Sequence, residues 1–246
     1  MPTLILIALL FCWSCLLSII AHQLIGNSKF FSQPTCYECT YHLAWYQVIP
    51  GARFFANTHC AHCYAQAYSS SPALEIGATL ALYALSRVAH PAQVLVYFIF
   101  FSALIITIKT DWETFMISRF ACLFLIPFGI VANFFGLLDI SPVESVLTAC
   151  GAYILLRTIA WLFFIITGKN GMGEGDWELF AFIGSVVGLV GAWFTLTLGS
   201  SLGALFGIAY VLLHHDKQQL IIPFGPFLAL GAMSFVLLKQ MCVLPI

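Results

Sequence analysis

Apolar runs of about 20 residues recur along this chain, and they constrain its fold more than any other feature. A bilayer core of about 30 Å is crossed by roughly 20 apolar residues in a helix. Because 61% of the 246 residues are hydrophobic and only 8% are charged, a soluble globular fold is excluded. We predict an all-α polytopic membrane protein with about eight transmembrane helices. The predicted spans are 2–24, 73–89, 91–110, 114–137, 143–167, 177–195, 198–213 and 224–242.

The first span has no positively charged residue before it and no small-residue cleavage site after it. We therefore predict that residues 1–25 are a retained transmembrane helix and not a signal peptide. A more polar loop follows at 26–72, and residues 73–246 hold the remaining spans. The chain is thus predicted to contain a first helix, a small loop domain and a larger transmembrane domain.

The Lys and Arg residues indicate orientation, because these residues collect in cytoplasmic loops. Most of them fall in alternate breaks between spans, whereas the breaks near 89–91, 138–142 and 197–199 hold none. Loop 26–72 is therefore predicted to be cytoplasmic, with both termini outside. Arg157 is an exception, since it falls in the middle of a span. The net charge of -1 and the lack of a basic cluster predict no nucleic-acid partner. The apolar runs predict membrane lipid as the surroundings of the protein.

Four of the nine cysteines form two Cys-x-x-Cys pairs in the first loop. The pairs are Cys36 with Cys39 and Cys60 with Cys63, separated by twenty residues. Two thiols at this spacing can chelate one ion from a tight turn, and four thiolates make the tetrahedral set that Zn²⁺ prefers. Two disulfides are the alternative, and a reducing cytosolic location argues against them. We predict a structural zinc site that stabilises a loop too short for a large core.

Two carboxylates, Asp111 and Asp176, each lie where an apolar run ends. Two predicted crossings separate them, so both reach the cytoplasmic side. A pair of carboxyl groups that shares a proton can activate water and protonate a scissile carbonyl. Gly173 and Gly175 precede Asp176 in a Gly-x-Gly-Asp turn, where missing Cβ atoms permit a tight turn and the approach of a substrate. Alternatively, both acids are only helix-end residues, and Asp176 caps the next helix.

Four glutamates lie near these acids or open a span. Glu113, Glu174 and Glu178 are expected to be solvated acids of loops or helix ends. Glu75 stands at the start of the second span, where an acid predicts a side chain that faces protein interior.

Together these motifs resemble the type IV prepilin peptidases, a family of membrane aspartic proteases of the Gly-x-Gly-Asp kind. The resemblance covers roughly residues 34–235. It is based on the paired Cys-x-x-Cys motifs and on four further segments. These are Pro72-Ala73-Leu74-Glu75, Thr110-Asp111, the run from Thr167 to Asp176, and the run from Ile222 to Ala229.

The resemblance implies that Asp111 and Asp176 are catalytic and that the four paired cysteines bind zinc, with Gly173, Gly175 and Glu75 as further motif positions. It implies a prepilin or pseudopilin substrate, of type IV pili or type II secretion, whose leader is cut at the cytoplasmic face of the bacterial inner membrane. Such enzymes often then methylate the new amino terminus, with S-adenosylmethionine as the methyl donor.

The chain departs from the family pattern at three places. Ser118-Arg119 stands where the family usually has Pro-Asp, and Glu178 stands where it usually has Lys. Neither change removes a carboxylate of the pair. The family's run Ser-Phe-Leu-Asn-Val-Val-Ile-x-Arg, which is linked to methyl transfer, is absent around residues 22–31. Methylation is therefore left open as a second activity.

Other classes of membrane protein compete with this interpretation. A membrane thiol-disulfide oxidoreductase could use the Cys-x-x-Cys pairs to carry electrons, but it would need them on the oxidising side. A transporter or channel would line its path with intramembrane polar groups, and the predicted spans hold few charges. A prepilin-binding assembly factor without activity is the third alternative.

Overall fold

The computed structural model describes residues 2–25, 36, 39, 41–42, 59–64, 72–115, 119–169, 171–214 and 222–241. It separates into two compact units, Met1–Arg87 and Val88–Ile246. Within these ranges the regular elements are α-helices, and His42 and His59 are single β-bridge positions. The predicted all-α class is therefore confirmed for the described part of the chain.

The helical segments are numbered in chain order. They are α1 Pro2–Ile25, α2 Pro72–Val88, α3 Val94–Thr114, α4 Arg119–Phe134, α5 Pro142–Thr167, α6 Glu174–His214 and α7 Gly225–Gln240. The ends of α5 show why the chain folds this way locally. The Ser141 side chain accepts a hydrogen bond from the Glu144 N–H at 3.1 Å, and Gly168 ends the helix with a φ of 69°.

Four of the described helices are long and apolar enough to cross a membrane. The stretches are Thr3–Ala21, Val94–Thr114, Pro142–Thr167 and Glu174–Leu213. In contrast, α2, α4 and α7 have only 16 or 17 residues, or about 24 to 26 Å of helix, which is shorter than a bilayer core. The predicted count of eight spans is therefore not confirmed.

A sharp turn at Gly188 divides α6 into two arms. The backbone there has a φ of 73° and a ψ of -175°, a conformation that glycine adopts readily. A Cβ atom at this position would also lie 2.9 Å from Glu144 Oε1. The N-terminal arm comprises residues 174–187, and the C-terminal arm comprises residues 189–214.

The C-terminal arm of α6 packs antiparallel against α7. Gly191 lies against Phe235, late in α7, whereas Gly199 lies against Phe227, early in α7. The two arms correspond to the predicted spans 177–195 and 198–213. The predicted break at 197–199 is wrong, however, because the turn lies at Gly188.

The residues at the predicted break stay helical because their polar groups are satisfied within the helix. The Thr197 hydroxyl donates to a carbonyl one turn earlier at 3.0 Å, and the Ser201 hydroxyl donates to the Thr197 carbonyl at 2.7 Å. A Cβ atom on Gly199 would lie 3.0 Å from the Phe227 carbonyl oxygen. This glycine therefore serves close packing against α7 and does not mark a turn.

Polar side chains from α4 and α5 hold the turn in α6. The Ser185 carbonyl accepts hydrogen bonds from Asn133 Nδ2 at 3.0 Å and from Ser145 Oγ at 2.6 Å. Beyond the turn, the Leu189 N–H donates to Glu144 Oε1 at 3.3 Å. These contacts satisfy backbone groups that lose their intrahelical partners where the helix breaks.

A polar cluster at one end of the second unit joins the start of α3, the α4–α5 loop and the end of α7. Gln93 Nε2 donates to Asp139 Oδ1 at 2.7 Å, and Asp139 pairs with Lys239 at 3.3 Å. The Gln240 side chain donates to Gln93 at 2.8 Å and accepts from the His90 N–H at 3.1 Å. The sequence predicts the breaks near 89–91 and 138–142 on the same side of the membrane, because neither holds Lys or Arg. In the structure, these two breaks lie at the same end of the second unit.

The first unit contains α1 and α2. The hydroxyls of Ser14 and Thr79 lie 3.1 Å apart, so small polar residues bring these two helices together. α1 ends at Ile25 and α2 begins at Pro72. The division into domains 1–25, 26–72 and 73–246 stays a prediction.

Candidate active site and cysteine cluster

Asp111 lies in the last turn of α3, and only 4% of its surface is exposed. Its Oδ2 accepts a hydrogen bond from the Gly225 N–H at 3.0 Å. Gly225 is the first residue of α7, so the free N–H groups and the positive dipole end of that helix face the carboxyl group. Four residues beyond Asp111, Phe115 ends α3 in the left-handed region with a φ of 54°. α3 therefore stops just after it has presented Asp111 to α7.

Asp176 lies in the first turn of α6 and is also buried, with 6% of its surface exposed. Its Oδ2 accepts a hydrogen bond from the Gly173 N–H at 3.2 Å. This contact caps the start of α6, as the helix-end alternative expects. The cap uses only Oδ2, so Oδ1 of Asp176 can still contact water or a substrate. Asp176 can therefore both cap the helix and take part in acid–base chemistry.

Asp111 and Asp176 lie at the same end of the second unit, near enough for the charge of Asp111 to act on Asp176. The rings of Phe100 and Phe182, 5.3 Å apart, pack α3 against the N-terminal arm of α6. α4 and α5 lie between the two acids in the chain. That both of these helices cross the membrane stays a prediction. Two buried carboxyl groups that act on each other's charge ionise together less readily, so one of them tends to keep its proton. Their arrangement suits acid–base cleavage of a peptide bond.

The glycines of the Gly-x-Gly-Asp turn differ in their surroundings. A Cβ atom on Gly171 would collide with the Phe163 ring. On Gly173 it would meet only Asp176 Oδ2, at an ordinary contact distance of 3.5 Å. The fold therefore does not require glycine at position 173 for steric reasons, and its predicted role in substrate approach stays a prediction. Gly175 lies in the first turn of α6.

The glutamates near the pair have unequal environments. Glu174 is exposed, as expected for a helix-end acid. The expectation that Glu178 is solvated is wrong, because it is 5% exposed in an arm whose next residues all pack inside the unit. Glu113 is half-buried, and the charge of Lys109 acts on it. Glu75 is buried in α2, within the first unit, as expected for an acid of an interior face.

The four paired cysteines gather in the first unit, with their Sγ atoms all within 4.8 Å of one another. Cys36 and Cys63 have sulfurs 3.6 Å apart, and those of Cys39 and Cys60 are 3.5 Å apart. None of the four forms a disulfide bond. A tetrahedral ion with Zn–S bonds of about 2.3 Å holds its sulfurs about 3.8 Å apart. The cluster therefore fits a tetrahedral metal ion.

The surroundings of the cluster favour metal binding as well. Cys36 and Cys60 are buried, and Ile19 of α1 packs against them. Backbone N–H groups of Cys63 and His62 lower the pKa of Cys60 to about 6. This thiol is therefore ionised near neutral pH, and the thiolate is the form that binds a metal.

Comparison with known families gives one match within the second unit. Residues 98–208 match the model of the type IV leader peptidase family. This part of the chain is therefore similar to a type IV leader peptidase domain. The matched segment includes Asp111 and Asp176, but neither the cysteine cluster nor Gly225.

Three curated relatives of this chain carry the name prepilin leader peptidase/N-methyltransferase. The protein from Pseudomonas putida is 39% identical over 109 residues, which are 44% of this chain and 38% of the relative. The Haemophilus influenzae protein is 34% identical over 131 residues, 52% of this chain and 54% of the relative. The Legionella pneumophila protein is 31% identical over 157 residues, 63% of this chain and 53% of the relative. The chain therefore matches less than two thirds of the length of these relatives. No solved structure matches the chain.

Sequence reasoning missed the Gly225 N–H as the partner of Asp111. A partial signal exists, since Pro226 in the first turn of α7 is typical of a helix start, and helix starts attract anions. Which anion meets this start depends on packing between helices distant in the chain. Among the departures from the family pattern, Ser118, the side chain of Arg119 and residues 26–31 lie outside the described part of the chain.

Proposed function

We propose that this chain is a membrane aspartic endopeptidase that removes the leader peptide of type IV prepilins or pseudopilins. The observation that carries the proposal is the placement of buried Asp111 and Asp176 at two helix ends of one unit, where the charge of one acts on the other, within the segment that matches the leader peptidase family. The names of the relatives support the same substrate class.

The two carboxyl groups would share the chemical work. The ionised one takes a proton from water, whose oxygen attacks the scissile carbonyl, while the protonated one gives its proton to the carbonyl oxygen. When the intermediate collapses, the C–N bond breaks, and the leaving amine takes the proton held by the former base. The N–H groups of Gly225 and Gly173 each orient one carboxyl group through Oδ2. The other oxygen of each group is then available to water and substrate.

In this proposal the site acts at the cytoplasmic side of the bacterial inner membrane. The Lys and Arg pattern of the loops supports this orientation. A prepilin combines a short basic leader with an apolar helix, so its scissile bond lies at the membrane boundary. The acids at this end of the unit, including the exposed Glu174, attract a basic leader.

We assign the cysteine cluster to one structural Zn²⁺. The four Sγ atoms match the separation that tetrahedral zinc requires. When bound, zinc neutralises thiolate charge and links the two turns that carry Cys36 with Cys39 and Cys60 with Cys63. This link would order the loop between α1 and α2 without a step in catalysis.

Mass spectrometry of a pilin amino terminus tests the proposal directly. A prepilin is expressed in cells with and without this protein, and the mature amino terminus is analysed. We expect leader removal only where the protein is present. The same spectrum reports whether the new amino terminus is methylated, the second activity in the relatives' names, for which S-adenosylmethionine would be the donor. An intact precursor beside folded, membrane-inserted protein would refute the proposed cleavage.

A further inference from the structure

An open groove lies between α5 and the turn in α6, within the second unit. Its volume is about 550 Å³, which is in the range of sites that hold small molecules. Buried side chains form its floor, and large exposed side chains flank it. The floor includes Ala152, Phe180 and Ala192, and the flanks include Leu147, Leu189 and Trp193.

Two glycines create the groove. The chain turns at Gly188, and the C-terminal arm of α6 then brings Leu189 and Trp193 to the same groove as the α5 residues. These two residues are four apart and therefore share one face of the arm. On α5, Gly151 lines the groove, and a Cβ atom there would meet nothing within 4 Å. The groove is therefore a space that the described side chains of α5 and α6 leave open.

Glu144 gives one end of the groove a charge. Among the described residues of the lining it is the only charged one, and it lies in the first turn of α5. Its Oε1 accepts the Leu189 N–H at 3.3 Å, which leaves Oε2 for another donor. Within the described ranges, no Lys or Arg side chain lies within ion-pair distance of Glu144. Trp193 lies one turn beyond Leu189, and tryptophan is typical of membrane boundaries.

The dimensions of the groove match an acyl chain of a lipid. Leu155, the last lining residue of α5, lies eleven residues or about 16 Å beyond Glu144. One leaflet of a bilayer core is about 15 Å deep, half of the total of about 30 Å. A helix of this length and of about 10 Å diameter would occupy about 1,250 Å³. That is more than twice the volume of the groove, so a single chain fits better than a helix of a substrate or of a second copy.

We propose that the groove binds phosphatidylethanolamine, with an acyl chain along the apolar part and the ammonium group paired with Glu144. An ammonium has three N–H donors, and a bond from one of them to a carboxylate is charge-assisted. Glu144 would repel an anionic headgroup, and the quaternary ammonium of phosphatidylcholine has no N–H to donate.

The location of the groove defines which lipid can reach it. The Lys and Arg pattern predicts that the start of α5 is outside, so the proposed lipid belongs to the outer leaflet. Neither Asp111 nor Asp176 lines the groove, so lipid binding does not depend on the proposed cleavage.

Native mass spectrometry of the full-length protein in detergent tests this site. The protein is titrated with phosphatidylethanolamine, phosphatidylcholine and phosphatidylglycerol that carry identical acyl chains. We expect a Kd for phosphatidylethanolamine about tenfold or more below the other two, because only this lipid makes the charge-assisted hydrogen bond. Glu144→Gln keeps an oxygen for the Leu189 N–H but loses the charge. This variant should bind phosphatidylethanolamine no more tightly than phosphatidylcholine, and its Kd for phosphatidylcholine should equal the parent's.

A filled groove tests the position of the acyl chain. Gly151→Leu adds a side chain in the open space, so the Kd for all three lipids should rise about tenfold or more as CH₂ groups are displaced. Gly77→Leu is the matched control, since Gly77 of α2 is outside the groove and a Cβ atom there also meets nothing within 4 Å. It should bind all three lipids as the parent does. Thermal unfolding without added lipid establishes that each variant is folded.

Several results would overturn the inference. Equal Kd values of the parent for the three lipids, or an unchanged preference in Glu144→Gln, would refute the pairing with Glu144. If Gly151→Leu binds every lipid as tightly as the parent, the acyl chain lies elsewhere. If this variant changes only the oligomeric state, measured by light scattering, the groove is an interface between copies of this chain. If it lowers only prepilin cleavage, the groove holds the apolar helix of the substrate.

Discussion

The cysteine cluster and the Asp111–Asp176 pair both gather side chains from separate parts of the chain, but different forces assemble them. Each cysteine pair sits on its own short turn, and the four sulfurs can be joined by one ion. The acids stand at the ends of two long helices, α3 and α6, whose positions depend on packing within the second unit. The spacing of the cysteines in the sequence therefore determines the geometry of the cluster. The geometry of the acid pair instead depends on how α3 and α6 pack.

This difference predicts two kinds of failure. Loss of a cysteine should weaken metal binding and so destabilise the first loop. Loss of an acid should remove chemistry and leave the fold, because helix packing does not need the charge. Substitutions in both regions can test this difference.

Asp111→Asn and Asp176→Asn should each lower prepilin cleavage by about a thousandfold or more, since acid–base catalysis needs both groups. Asparagine keeps an oxygen that can accept the N–H of Gly225 or Gly173, so the fold should be retained. Cleavage is measured on a co-expressed prepilin, and zinc content and membrane insertion serve as controls. Normal processing by either variant would remove that acid from the mechanism, and a loss of zinc would show that the two regions are coupled.

Cys60→Ser should lower zinc affinity by about a hundredfold or more, because a thiolate ligand is lost and three remain. Zinc per chain is measured by elemental analysis after purification in a weak chelator. Cys150→Ser is the matched control, since Cys150 is a free, exposed cysteine of α5. Equal zinc content in both variants would contradict the metal assignment.

Gly188→Ala should destabilise the second unit by about 2 kcal/mol or more. A side chain is strained at a φ of 73°, and the added Cβ would crowd Glu144 Oε1 at 2.9 Å. The free energy of unfolding is measured in detergent by denaturant titration. Gly151→Ala is the control, because a Cβ atom there meets nothing within 4 Å. If Gly188→Ala is as stable as this control, α6 does not depend on the turn.

Glu144→Leu should cost about 0.5 to 2 kcal/mol, because the Leu189 N–H loses the oxygen that caps the C-terminal arm of α6. Glu144→Gln keeps an acceptor oxygen and should cost less. Both values come from the same unfolding titration. Equal losses for the two substitutions would show that the charge, and not the hydrogen bond, holds the turn.

Gly173→Ala should change the free energy of unfolding by no more than about 0.5 kcal/mol, since the new Cβ would only touch Asp176 Oδ2 at 3.5 Å. Cleavage activity is the informative measurement. A fall in kcat/KM with unchanged stability would indicate that substrate backbone approaches at Gly173. Unchanged activity would remove this glycine from the substrate path.

Several features of the molecule follow from the sequence alone. The apolar runs predict helices, and the described regular elements are helical. The Cys-x-x-Cys spacing predicts a four-thiol cluster, because two turns of this kind need only one common ion. The parity of the predicted crossings places Asp111 and Asp176 at one end, and the charge of one acts on the other.

Tertiary structure decided what local composition cannot encode. The turn in α6 lies at Gly188, amid apolar residues, because Asn133, Ser145 and Glu144 from other helices satisfy the broken backbone there. The donor to Asp111 is the Gly225 N–H, from a helix that begins more than a hundred residues later in the chain. A backbone N–H has no sequence signature, so its partner is set only when the helices pack.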